Sequence, residues 1–125
     1  MNIKTPLILG TSFLFLAVAF GAFGAHGLKG IVVGKYLDTF QTGISYHYYH
    51  GFALVLLGLI KSQIPEINIK PITYCFAVGI FLFSFNCYIF AITQTKAFAM
   101  IIPIGGVLFL TGWFNITLQI YRKLK

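Results

Sequence analysis

The chain has 125 residues, enough for one domain, and is 58% hydrophobic with only 9% charged residues. A water-soluble domain carries about 25% charged residues and, at this size, could not hide so much apolar surface; the composition excludes an ordinary soluble fold and makes lipid the solvent. The net charge of +7 does not indicate nucleic acid, because the basic residues stand at the ends of apolar runs rather than on one face.

A membrane-crossing helix needs roughly 20 mostly apolar residues, and four windows meet that need. The first covers about 6–25. Lys4, the apolar run after it and the small residues that follow match a signal peptide in outline, but the stretch reads as a first span. Pro6 suits a first helical turn, where its missing N–H has no partner to lose. Ala17, Gly21 and Ala25, with Gly24 beside them, form a small-residue face that lets another helix approach closely.

The link over 26–41 is longer than a tight turn. Leu28, Val32, Tyr36, Leu37, Phe40 and Ile44 recur in it at helical spacing, which predicts a short helix lying in the membrane interface. The second span, about 42–60, is apolar only from Gly51 onward. Its first half holds Ser45, Tyr46, His47, Tyr48, Tyr49 and His50, and tyrosines suit an interfacial belt.

The third span, about 72–92, is interrupted by Gly79, Ser84 and Asn86. Cys75 and Cys87 stand 12 positions apart in it. On a helix that separation is ~18 Å, too far for a disulfide, so both read as small packing residues. The fourth span, about 98–118, contains Pro103, Gly105, Gly106 and Gly112, which neighbouring helices can accommodate. The short links 63–70 and 93–96 make spans two and three, and three and four, antiparallel neighbours. The fold expected is all-α: an integral membrane, antiparallel four-transmembrane-helix bundle in a single domain over 1–125.

The positive-inside rule orients it. With the N-terminus cytoplasmic, the inside holds six basic residues, Lys4, Lys61, Lys70, Arg122, Lys123 and Lys125, and the outside three, Lys29, Lys35 and Lys96. Both termini are therefore expected in the cytoplasm.

Helical rise then assigns depths. His47 and His50 fall ~8 and ~12 Å below the outer end of the second span, and Asn86 and Ser84 ~9 and ~12 Å below that of the third. Pro103, Gly105 and Gly106 fall at similar depth, so the outer half of the bundle is expected to be polar and rich in small residues. Polar groups inside a membrane are costly and often functional. The first reading of this cluster is that His50, Asn86 and Ser84 bond between helices and fix the packing. The second is a ligand site. The third is metal or haem ligation: His47 and His50 have the i, i+3 spacing of two ligands on one helix face, but no third ligand is well placed, so no metal and no cofactor are expected.

Both acids, Asp38 and Glu66, fall in the links. A proton-coupled carrier places an acid within the membrane, so that class is disfavoured. The chain also lacks a Ser-His-Asp order, a phosphate loop and a dinucleotide fingerprint after a strand; no enzyme is expected.

Gly21-Ala-Phe-Gly-Ala-His-Gly-Leu28, Thr42-Gly with Tyr46-His-Tyr-Tyr-His50, and Pro103-Ile-Gly-Gly106 with Gly112-Trp113 resemble, in order, three motifs of the small membrane proteins grouped as domain of unknown function 423, also called uncharacterised protein family 0382. The resemblance implies a bacterial inner-membrane protein with four spans and supplies no activity. It carries Gly21, Gly24, His26, Gly27, His50, Pro103, Gly105, Gly106 and Trp113 as motif residues. This chain departs from it at His47, where the family often has Gln. It also departs over Phe83-Ser-Phe-Asn-Cys-Tyr88, where Phe85 replaces a glycine and weakens the expectation of close helix approach.

The role expected is a structural or accessory membrane subunit that packs with itself or with a larger membrane complex. The alternative is a site for a small molecule, lipid or ion in the outer half, lined by His26, Tyr46, His50, Asn86, Pro103, Gly105 and Gly106. A permeation path through an oligomer is the third possibility. The lipid bilayer is the partner common to all three; nucleic acid is not one.

Overall fold

A computed structural model describes residues 1–124; these are largely helical and include no strand. Lys125, counted above for orientation, lies outside the described residues. Four long helices follow one another: α1 over Lys4–His26, α2 over Lys35–Gln63, α3 over Lys70–Thr93 and α4 over Lys96–Lys123. α1, α3 and α4 are long and apolar enough to cross a membrane. α2 is longer, at 29 residues, but its Ser45–His50 run lowers its hydropathy.

No separate interfacial helix precedes α2 among the described residues. Residues 35–41 continue straight into it, because Gly34 (φ 61°) starts the helix and Gly30 (φ 79°) turns the link before it. Both glycines occupy the left-handed region that side chains resist. Leu28 and Val32 instead pack under the link, in one cluster with Phe40, Ile44, Tyr88 and Ala91. Asp38 is likewise not in a loop: it sits in the first turn of α2, where the helix dipole favours an acid.

α2 and α3 pack on each other, α1 packs chiefly on α2, and α4 chiefly on α3. The closest approaches follow a seven-residue spacing. On α1 the buried positions include Gly10, Ala17 and Gly24. A Cβ on Gly10 would stand 2.8 Å from the backbone of Gly51 and Val55, and one on Gly58 would meet Leu7. On α4, Gly105 lies under the Leu82–Phe83 backbone and Gly112 under Phe76. A seven-residue repeat holds one helix stripe against a neighbour crossing at about 20°. Gly21 is half-buried with room around it, and Ala25 is exposed; the stripe therefore turns away from the four-residue face read from the sequence.

α3 contains a π-helical turn over Phe81–Phe85. Such a turn carries one extra residue and leaves backbone groups without their usual partners. The side chain of Asn86 supplies one: its Nδ2 donates to the carbonyls of Phe81 and Leu82, both at 3.1 Å. The bulky Phe85 lies against the rings of Phe13 and Phe20, while α4 approaches α3 closely at Gly79, Leu82 and Phe83.

At the opposite end the short α2–α3 link is clipped to α4. Gln119 accepts from the Asn68 N–H (2.7 Å) and donates to the Asn68 carbonyl (2.9 Å). Lys123 Nζ donates to the Glu66 carbonyl (2.6 Å), and Lys61 Nζ to those of Ile67 (2.9 Å) and Pro65.

Candidate functional site

Two histidines on α2 are buried one helical turn apart, His47 at 0% and His50 at 3% exposure, and they face different neighbours. His50 Nδ1 lies 2.8 Å from the Tyr46 carbonyl, and its Nε2 lies 3.0 Å from Trp113 Nε1 of α4. A carbonyl only accepts and an indole N–H only donates. The two contacts together therefore fix the tautomer: Nδ1 carries the proton, Nε2 accepts, and the ring is neutral. The ring also stacks on Phe109 (3.5 Å between centroids, 9° between planes), with Phe76 edge-on at 5.2 Å. Neither nitrogen of His50 has a lone pair left for a metal.

His47 turns toward α1 and α3. Its Nδ1 lies 2.8 Å from the Tyr88 hydroxyl, and the rings of Phe13 and Phe85 meet it edge-on at 5.9 and 5.5 Å. Its Nε2 is buried with no hydrogen-bond partner. Among the described residues no group of three His, Cys, Asp or Glu side chains is placed to hold a metal ion.

The structure brings some of the sequence candidates together and separates others. Tyr46, His50, Pro103 and Gly106 line one cavity of about 400 Å³ between α2 and α4, together with Phe109 and Trp113. Gly105 is next to that cavity in sequence but buried under the α3 backbone. Asn86 is turned to carbonyls of its own helix, so it does not bond to a neighbouring helix. Ser84 does not do so either; its hydroxyl is buried with no partner. His26 is exposed at the end of α1, far along the axis from His50. Of the packing candidates, Ala17, Gly24 and Gly112 are buried.

The depth expected from the sequence needs correction. α2 begins at Lys35, so His50 stands ~22 Å from that end and ~20 Å from the other. Its partner Trp113 lies nearer the Lys123 end of α4. The polar centre is thus at mid-height, not confined to the outer half. In the sequence Trp113 stands out only as a motif residue, and nothing marks Phe109 or Tyr88 as part of a site. The signal for Trp113 is its status as the one tryptophan of the chain, in the second half of a glycine-rich helix.

The model of the family described as Protein of unknown function (DUF423) matches residues 20–106. The chain belongs to the DUF423 family. Within DUF423 it is 39% identical over 119 residues to a UPF0382 membrane protein of Staphylococcus aureus, covering 95% of this chain and 97% of that one. It is 36% identical over 119 residues to a UPF0382 membrane protein of Staphylococcus haemolyticus, with 95% and 97% covered. It is 37% identical over 122 residues to the UPF0382 membrane protein YwdK of Bacillus subtilis, with 97% and 99% covered. No solved structure matches the chain. With its three helices of spanning length and composition, this DUF423 protein is a multi-pass membrane protein of a family whose function is uncharacterised.

Proposed function

We propose that the chain is a non-catalytic, four-span protein of the bacterial inner membrane, with both termini cytoplasmic, that acts as a structural or accessory subunit packing with itself or with a larger membrane complex. Connectivity supports the fourth crossing. α1 and α3 run in the same direction, since Gly58 near the end of α2 meets Leu7 of α1, while Tyr36 near its start meets Phe90 of α3. Two parallel spans need a return crossing between them, and α2 is the segment that joins them. At 29 residues it is ~43 Å long, more than the ~30 Å of hydrocarbon to be crossed. Six of the basic residues then face the cytoplasm and three the outside.

One observation carries the non-catalytic reading: the polar side chain best placed to react is already tied between helices. His50 has both nitrogens engaged by Tyr46 and Trp113. The acids stand elsewhere, Asp38 in the first turn of α2 and Glu66 in the α2–α3 link, out of reach of it. A carrier or enzyme in lipid needs a free polar group aimed at its substrate. Purification in mild detergent, with crosslinking in intact cells beforehand, tests the role. A discrete oligomer or a defined crosslinked neighbour is expected; a lone monomer with no crosslinked neighbour overturns it.

A second reading, a ligand site, is favoured by the cavity beside His50. Its walls are the side chains of Phe83, Val107, Phe109 and Leu110, with little polar surface, so among a small molecule, a lipid and an ion they suit the lipid.

A further inference from the structure

We propose that the cleft between α2 and α4 is a binding site for one anionic phospholipid of the leaflet on the Lys96 side, its chain lying along α4 and its phosphate paired with Lys96. The inference rests on the lateral-cleft reading above and is independent of whether the chain associates.

The cleft is open to the side, toward where lipid chains lie. Pro103, Val107 and Leu110 are exposed along it, the last two at 60% and 70%, and Trp113 closes its lower end. A void lined by apolar groups stays dry, so in a bilayer hydrocarbon fills it. Gly106 is what makes the room. A Cβ there would come no closer than 3.8 Å to the Phe83 ring, so this glycine is not required by helix packing, in contrast to Gly105 next to it.

Length and charge specify the occupant. Seven positions return to nearly the same helix stripe, ~20° off, which places Lys96, Pro103 and Leu110 in line. Lys96 to Leu110 spans ~21 Å of helix, the thickness of one leaflet with its headgroups, about half of 40–45 Å. Lys96 therefore stands at headgroup height over a cleft of chain length. That end of the molecule also carries Lys29 and Lys35 against the single acid Asp38. The Trp113 ring, leaning toward the helix N-terminus as helical side chains do, meets the far end of the chain.

Trp113 is the one tryptophan of the protein; its fluorescence reports the cleft together with the groove of Tyr49, Phe52 and Leu56 that it also borders, so the variants that alter only the cleft side separate the two. The test reconstitutes the full chain in phosphatidylcholine vesicles. A chain-brominated phosphatidylglycerol or chain-brominated phosphatidylcholine is included at equal mole fraction as the quencher. Brominated phosphatidylglycerol should reach half-maximal quenching at about fivefold lower mole fraction, the factor given by ~1 kcal/mol per basic side chain near an anionic surface. Lys96→Gln should abolish that preference while leaving quenching by brominated phosphatidylcholine in place. Gly106→Leu should abolish the preference and weaken quenching by both; Val107→Phe, at an exposed position, gives the same readout if Gly106→Leu fails to fold. Equal quenching by the two lipids in the wild type overturns the proposal, as does an unchanged preference in Lys96→Gln or in both cleft-filling variants. Absence of quenching by either lipid, with crosslinks between α4 helices of two copies, also overturns it and assigns the cleft to a second copy of the chain. A loss of oligomers with the lipid preference intact would count against the structural-subunit reading alone.

Discussion

His50 shows how two neighbours can define the chemistry of one side chain. The Tyr46 carbonyl requires a donor at Nδ1, and the Trp113 N–H requires an acceptor at Nε2. The same residue therefore serves as a clip between α2 and α4 and is closed to metal ligation. Trp113→Phe keeps an aromatic ring against Phe76 but leaves Nε2 without its donor. A hydrogen bond between membrane helices averages ~0.6 kcal/mol, whereas a buried acceptor left unmade costs ~1–3 kcal/mol. Because Trp113 is 41% exposed, its site is not fully sealed, and a loss of about 1 kcal/mol is expected, read from the midpoint of denaturant unfolding in detergent. The sequence displayed the histidine and the tryptophan but not their pairing, since 63 residues separate them and helix rotation decides which stripe faces inward.

Adjacent glycines in the first half of α4 separate two roles within one element. A Cβ at Gly105 would collide with the backbone at Phe83 and stand 2.8 Å from the Leu82 carbonyl carbon, whereas at Gly106 the nearest atoms are 3.8 Å away. Gly105→Ala must push α4 off α3, and overpacking of this kind costs ~1–3 kcal/mol. Gly106→Ala should be neutral, or stabilising by up to ~1 kcal/mol through helix propensity. Thermal unfolding of the two variants side by side in the same detergent checks the contrast; equal losses would mean that α3 and α4 approach differently. Both glycines were visible in the sequence, but not which one faces the neighbour. The same holds on α1, where a four-residue small face was read and Gly10, Ala17 and Gly24 at seven-residue spacing are buried. Both patterns exist in the composition, and only the crossing angle of the partner helix selects between them.

At the scale of the whole molecule, the proposed topology rests on two boundary conditions: a hydrocarbon layer that sets helix length, and an uneven distribution of basic side chains that sets direction. Neutralising Lys4, Lys61 and Lys70 to Gln equalises the basic residues on the two sides. By the positive-inside rule the chain should then insert in mixed orientation, read by labelling of single cysteines placed near residues 2 and 30 in intact cells. Unchanged labelling would mean that something other than this bias orients the protein. The basic residues near α4's end also act locally, since Lys123 with Gln119 holds the α2–α3 link against α4.

The apolar runs by themselves determined that the protein is helical and belongs in a membrane, because a stretch of some 20 residues without charge has no other stable solvent. Each apolar run lies inside a longer helix; α4 runs on to Lys123 and α2 reaches back to Lys35, where the polar run at its start hides its length and the sequence suggests a separate interfacial helix. What the tertiary structure alone decided is how the helices are turned about their axes. That rotation pairs His50 with Trp113 and His47 with Tyr88, points Asn86 at its own π turn, and leaves the cleft between α2 and α4 unfilled. In a chain this apolar, hydrophobic periodicity cannot report rotation: a face against lipid and a face against another helix are both greasy, and only close packing tells them apart.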